Sequence, residues 1–297
     1  MNWIIVTIFA AFLQNLRFTL QKNINKKVST FSSSYVRFAF SLPFTVALFF
    51  IYFQSFEMIK ICLENNDFII FFILASISQI IFTFILLYLF QFSNFIIGTS
   101  LSKTEVIQIA LLEFIILGDK LNFFVVLGIV LSTIGVIVFT VKNINLFFKN
   151  LFSKTTIVGI ISGLFLGLSV VLYRAAALSL NIESNFEKAL CTLFFGVSFQ
   201  TIIMTIYILI FEKDQFKKLY DNKYQCLLAG FSGFLATLSW FYAFTLVQSS
   251  FVRALGQIEL VFSYISSTLF FKEKVKLIEI IGILIFVSGV GIILVFK

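Results

Sequence analysis

Residues 101–138 read LSKTEVIQIALLEFIILGDKLNFFVVLGIVLSTIGVIV, and the chain contains this stretch twice. A shift of 154 residues lays it without a gap on residues 255–292. Glu105 falls on Glu259, and Asp119-Lys120 falls on Glu273-Lys274. Gly128 falls on Gly282, and Gly135 on Gly289. Each copy is an apolar run carrying one central carboxylate, then a short charged turn, then a second apolar run with glycines one heptad apart. An ungapped match at half the chain length is the signature of internal duplication.

The rest of the chain sets the class of that duplicated unit. Of 297 residues, 60% are hydrophobic and 12% charged, with a mean hydropathy of +1.06. Soluble domains carry about twice that share of charge. Apolar runs of about 20 residues, each long enough to cross ~30 Å of hydrocarbon, follow one another throughout. A barrel would instead alternate in segments of about ten residues. The expected fold is an all-α integral membrane protein with ten transmembrane helices, near residues 2–21, 32–53, 68–90, 95–117, 122–141, 157–180, 187–211, 225–247, 250–271 and 276–296. Residues 1–145 and 157–297 then form two five-helix repeats, joined by a linker at 146–156. An odd number of helices per repeat makes the second enter the membrane from the opposite side, so the repeats are inverted. The first helix lacks a basic leading segment and is expected to be retained rather than cleaved as a signal. The expected location is the inner or plasma membrane, with many passes. Thirteen lysines, including Lys22, Lys149 and Lys218, fall on one side against four on the other. By the positive-inside rule the thirteen are cytoplasmic and both termini outside.

Composition also excludes chemistry. There is no histidine, which removes imidazole acid–base catalysis and His-ligated metal sites. The three cysteines, Cys62, Cys191 and Cys226, are spaced for neither a disulfide framework nor zinc. No phosphate-binding G-x-x-x-x-G-K loop and no hydrolase motif occurs. The expectation is a chain that is not an enzyme, with no cofactor and no metal. The net charge of +8 is spread over separate loops, which fits topology and anionic lipid rather than nucleic acid.

Ionisable groups inside a membrane are costly, so each is a candidate for function or for a specific pairing. Glu105 and Glu259 come first, at equivalent mid-depth positions. Ser102, Glu105 and Gln108 share one face of the fourth predicted helix, and Gly256, Glu259, Ser263 and Ser266 one face of the ninth. Two readings stand: substrate or proton binding, because a carboxylate taken out of water holds its proton more tightly, or a structural ion pair. Glu113 is expected at the interface. Gln14, Arg17 and Gln21 share a face of the first helix. Arg17 and Arg37 either snorkel to the headgroups or act, with Arg174 and Arg253, as counter-charges. Lys103, two residues from Glu105, is expected to point elsewhere. Gln79 and Tyr88 on the third helix, and Trp240 and Tyr242 on the eighth, suit either a cavity wall or the membrane interface. Small residues repeat on helix faces at Gly159, Gly163 and Gly167, at Gly128, Ser132 and Gly135, and at Gly282 and Gly289, which permits close backbone approach in lipid. Pro43 is expected to bend or end the second helix.

The two turns Gly118-Asp119-Lys120-Leu121 and Lys272-Glu273-Lys274-Val275, each followed by a Gly-x6-Gly helix, resemble the two EamA domains of the drug/metabolite transporter superfamily. The resemblance covers essentially the whole chain. It implies a ten-helix inverted-repeat carrier with a central cavity lined by helices 1, 3, 4, 6, 8 and 9. Many members carry a proline midway along helices 4 and 9, where this chain has Lys103-Thr104-Glu105-Val106 and Gln257-Ile258-Glu259-Leu260. The expected function is secondary transport of a small organic metabolite, amino-acid-like or another polar solute, by alternating access. The expected partners are that substrate, the lipid bilayer, a proton as candidate coupling ion and a second copy of the chain. A non-saturating channel and a non-transporting scaffold are the alternatives.

Overall fold

The computed structural model describes residues 2–89, 101–141, 153–262 and 277–296. Every regular element among them is helical. That is the solution lipid imposes, because a helix satisfies its backbone N–H and C=O groups within the segment. In chain order the helices are α1 (Asn2–Ile24), α2 (Thr30–Ala39), α3 (Leu42–Phe53), α4 (Glu57–Glu64), α5 (Asn66–Leu89), α6 (Glu105–Leu117), α7 (Phe123–Thr140), α8 (Lys154–Ser179), α9 (Asn185–Phe211), α10 (Gln215–Asp221), α11 (Lys223–Leu246), α12 (Ser249–Gly256) and α13 (Leu277–Phe296).

Among the described residues, eight spans are long and apolar enough to cross a membrane. Two departures from the expected helices are local. The second expected helix is interrupted between α2 and α3. Pro43 takes an early position in α3, where its missing N–H costs nothing, and the Ser41 hydroxyl donates to Phe38 O at 2.8 Å across the break. The polar stretches 54–67 and 212–224, expected as loops, contain the short helices α4 and α10.

The fourth and ninth expected helices are not continuous. A turn at Lys103-Thr104 precedes α6, and a turn at Gln257 follows α12 before helix resumes over residues 258–262. The remainders of those two expected spans, residues 95–100 and 263–271, lie outside the described residues, as does the second acidic-basic turn.

The chain divides into two compact units: Met1–Ile80 with Leu172–Val247, and Ile81–Val171 with Gln248–Lys297. Each draws segments from both sequence repeats, and the division falls within α5 and α8. In the first unit α11 packs along α1, and α9 packs on α2, α3 and α11. Phenylalanine fills much of this unit: Phe49 stacks on Phe194 at 4.2 Å, in a cluster with Phe68, Phe72 and the buried thiols Cys62 and Cys191.

In the second unit α7 and α13, which are repeat equivalents, lie face to face along their glycines. A Cβ on Gly128 would sit 2.8 Å from Gly289 O, and one on Gly135 would sit 2.7 Å from Phe286 Cα. The small-residue faces read from the sequence on α7 and α13 are therefore the seam between these helices. In the same unit α12 packs on α6 and α7.

Candidate functional site

The interruptions in the second unit place opposite charges at facing helix ends. Thr104 closes the first turn, its hydroxyl donating to Leu101 O at 2.7 Å. Glu105 then opens α6, and Arg253 lies in the last turn of α12. An acid at a helix start and a base at a helix end are each favoured by the local backbone dipole. The Arg253 guanidinium ion-pairs with Glu105 through Nη2 and also donates from Nε at 3.2 Å. Gln257 Nε2 donates to the same Glu105 Oε1 at 3.2 Å. Lys103 Nζ meets Glu259 Oε1 at 2.6 Å. Glu105, Glu259 and Arg253 are all buried.

The pattern is reciprocal. Lys103 and Gln257 occupy equivalent positions of the two copies, as do Glu105 and Glu259. Each donor serves the carboxylate of the other copy. This is the arrangement a two-fold relation produces, in which i contacts j and j contacts i.

Several sequence expectations change here. Lys103 does not point elsewhere, because the turn at 103–104 redirects it to Glu259. Glu113 is not interfacial: it is 1% exposed, and its two oxygens accept from Ser249 N at 2.6 Å and Ser250 N at 3.1 Å. It satisfies the orphan N–H groups that open α12. The predicted stripe of Ser102, Glu105 and Gln108 is split by the same turn. Glu105 bonds to α12, whereas Gln108 Nε2 reaches Ile160 O of α8 at 3.4 Å. The Ser102 carbonyl packs at Gly163, 2.8 Å from where a Cβ would stand. Ser263 lies outside the described residues. Tyr88 is exposed.

The first unit holds a second polar network, of another kind. Trp240 Nε1 donates to Gln14 Oε1 at 2.9 Å. Arg17 is 3% exposed, so it does not snorkel. Its side chain runs beside Gly233, with Cδ 3.1 Å from a Cβ built there, and its guanidinium lies 4.5 Å from the Phe18 ring centroid. Gln21 Nε2 donates to Ser33 O at 2.7 Å. Arg174 Nε donates to Phe244 O at 3.1 Å near the end of α11. Tyr242 packs edge-on against Phe186. Gln200 Nε2 donates to Gln79 Oε1 at 2.9 Å and to Ser76 O at 3.3 Å, and the Ser76 and Tyr173 hydroxyls are 2.9 Å apart. Arg37, Ser41, Gln79, Tyr173, Gln200 and Thr237 line a cavity of about 10 Å³, room for about one water.

Lys103, Gln257, Gln200 and Tyr173 were not among the candidate site residues read from sequence. Gln200 had a readable signal, since an amide buried in a long apolar helix is costly unless it is bonded. Among the described residues no cluster of acidic or cysteine side chains could hold a metal ion.

The profile of the EamA-like transporter family matches residues 1–141 and 153–295, once for each sequence repeat. The chain belongs to the EamA-like transporter family. It is a multi-pass membrane protein of the drug/metabolite transporter superfamily, a family that is normally non-enzymatic. A solved structure titled "Crystal structure of protein" is similar over 100% of this chain and 99% of its own, with a TM-score of 0.74 at 10% identity. That likeness shows a shared fold and nothing of substrate. No curated protein sequence matches. Within this EamA-like chain, the fourth and ninth expected helices are interrupted at Lys103-Thr104 and at Gln257, and none of these positions is a proline.

Proposed function

We propose that this EamA-like protein is a secondary carrier for a small polar organic metabolite, an amino-acid-like solute being the leading class, working by alternating access across the inner or plasma membrane. Its ten helices form two inverted five-helix repeats, residues 1–145 and 157–297, joined by a linker at 146–156. The observation that carries the reading is the reciprocal pairing of Lys103 with Glu259 and of Arg253 and Gln257 with Glu105. A static scaffold has no need of two buried carboxylates at equivalent positions of two repeats. Interrupted helices are where transporters of other folds place substrate and ion sites.

The paired charges give the crossing a way to change state. A solute bearing both an ammonium and a carboxylate can replace either partner without leaving a buried charge alone. A proton arriving at Glu259 would neutralise that carboxylate and release Lys103, so the proton is the coupling ion of this scheme. A ligand shifts a conformational equilibrium only by its differential affinity for the two states, and exchange of ion-pair partners supplies that difference. Gln14, Arg17, Arg37, Arg174, Gln79, Trp240 and Tyr242, all of the first unit, form a second tier of candidates in their own right.

The test is uptake into proteoliposomes across a range of pH. Glu105→Gln and Glu259→Gln are each expected to change the pH dependence of transport. An unchanged profile in both removes proton coupling, and flux that fails to saturate replaces the carrier with a channel.

A further inference from the structure

α6 and α7 are joined by the turn at residues 118–122, and beyond it their facing sides do not close. Ile107, Leu111 and Phe114 recur at i, i+4 and i+7 on α6, and Val126 and Val130 at i and i+4 on α7. Between these apolar faces runs a groove of about 350 Å³, with Asp119 and Lys120 at one end. Leu111, Phe114 and Val126 are 59%, 57% and 42% exposed.

We infer that this groove binds one glycerophospholipid with a primary-ammonium headgroup, its acyl chain between α6 and α7 and its headgroup at Asp119-Lys120. This site is separate from the charged crossing and independent of the transported solute. The chain crosses a membrane, and an apolar groove left empty forfeits the dispersion contacts of both walls. A flexible hydrocarbon chain restores them, and the bilayer supplies one.

The headgroup follows from charge. The turn ends two apolar helices, so it lies where headgroups begin. It offers a cation and an anion side by side. Lys120 stands just before the start of α7, whose dipole is positive there, and suits a phosphodiester. Asp119 stands just after α6, whose last turn is the negative end, and suits an ammonium. A primary ammonium donates hydrogen bonds to a carboxylate, whereas a quaternary one has no N–H to give. A purely anionic headgroup would pair with Lys120 but bring a second negative charge beside Asp119.

The test is native mass spectrometry of the purified full chain from equimolar phosphatidylethanolamine, phosphatidylcholine and phosphatidylglycerol. Retention of phosphatidylethanolamine is expected at up to about fivefold over each of the others, the most that one ion pair at a water edge provides. Asp119→Asn is expected to erase the preference over phosphatidylcholine, and Lys120→Ala to weaken retention of all three. Val126→Trp, which fills the groove, is expected to abolish retention. Should Val126→Trp fail to fold, the two turn variants decide the matter. Equal retention of the three lipids, or a preference for phosphatidylglycerol, overturns the assignment. So does retention indifferent to the turn variants.

Discussion

α7 and α13 meet through bare glycine backbone, whereas α6 and the segment from α12 to residue 262 meet through charged side chains. Both contacts lie in the same unit; α7 and α13 are repeat equivalents, and the charged contact holds the equivalent carboxylates Glu105 and Glu259. The glycine seam has a single arrangement: atoms already at van der Waals contact cannot change partners without opening a gap. The charged crossing has alternatives, because a carboxylate accepts from a guanidinium, an ammonium or a solute donor alike. The first pair is suited to hold the unit together and the second to respond.

The largest effect that tests this contrast is at Glu105. Removing it in Glu105→Ala takes from buried Arg253 the carboxylate to which both Nη2 and Nε donate, which should cost about 3–5 kcal/mol of stability. Denaturant or thermal unfolding in detergent reads it. The double variant Glu105→Ala/Arg253→Met is expected to recover much of that loss, and a double-mutant cycle gives the coupling. Additive losses would mean that the pair is not a unit.

Lys103 and Glu259 come next, at about 2 kcal/mol for a charge-assisted bond that is not fully buried. Lys103→Glu is expected to lose transport and the exchange Lys103→Glu/Glu259→Lys to restore part of it. Failure of the exchange with folding intact would show that the position needs lysine's reach and not only its charge.

At the seam, Gly135→Ala places a Cβ 2.7 Å from Phe286 Cα, which is backbone and cannot yield. The expected cost is about 1–3 kcal/mol, with the pH profile of transport per folded molecule unchanged. A changed profile would make the seam part of the switch. The smallest effect is at the start of α7, where Asn122 Oδ1 accepts from Phe124 N at 2.7 Å. Asn122→Ala should cost about 1 kcal/mol and leave transport unaltered.

Much of this was legible in residue spacing. The duplication, the glycine faces and the mid-chain carboxylates follow from residue type and period, and packing in lipid respects both. What escaped was geometry that residue type does not encode. A continuous helix sends positions 103 and 105 to different sides. The break at Lys103-Thr104 cancels that rule, and neither proline nor glycine marks it. Arg17 looked free to snorkel because it is near a helix end, but Gly233 makes room for it inside the protein. Glu113 looked interfacial by position. It is buried because α12 begins beside it and presents two N–H groups, a tertiary fact with no local trace.

The central claim is that the charged crossing in the second unit is where the transported solute acts. The most direct measurement is a thermal-shift screen of the purified protein against a metabolite library at two pH values, run beside Glu105→Gln and Glu259→Gln. A ligand present at 100 times its Kd adds about 2.7 kcal/mol to the folded state. The account predicts a polar, charge-bearing ligand whose shift depends on pH and is lost in at least one variant. A ligand whose shift is the same in both variants and at both pH values would contradict it and leave the carboxylates as structural ties.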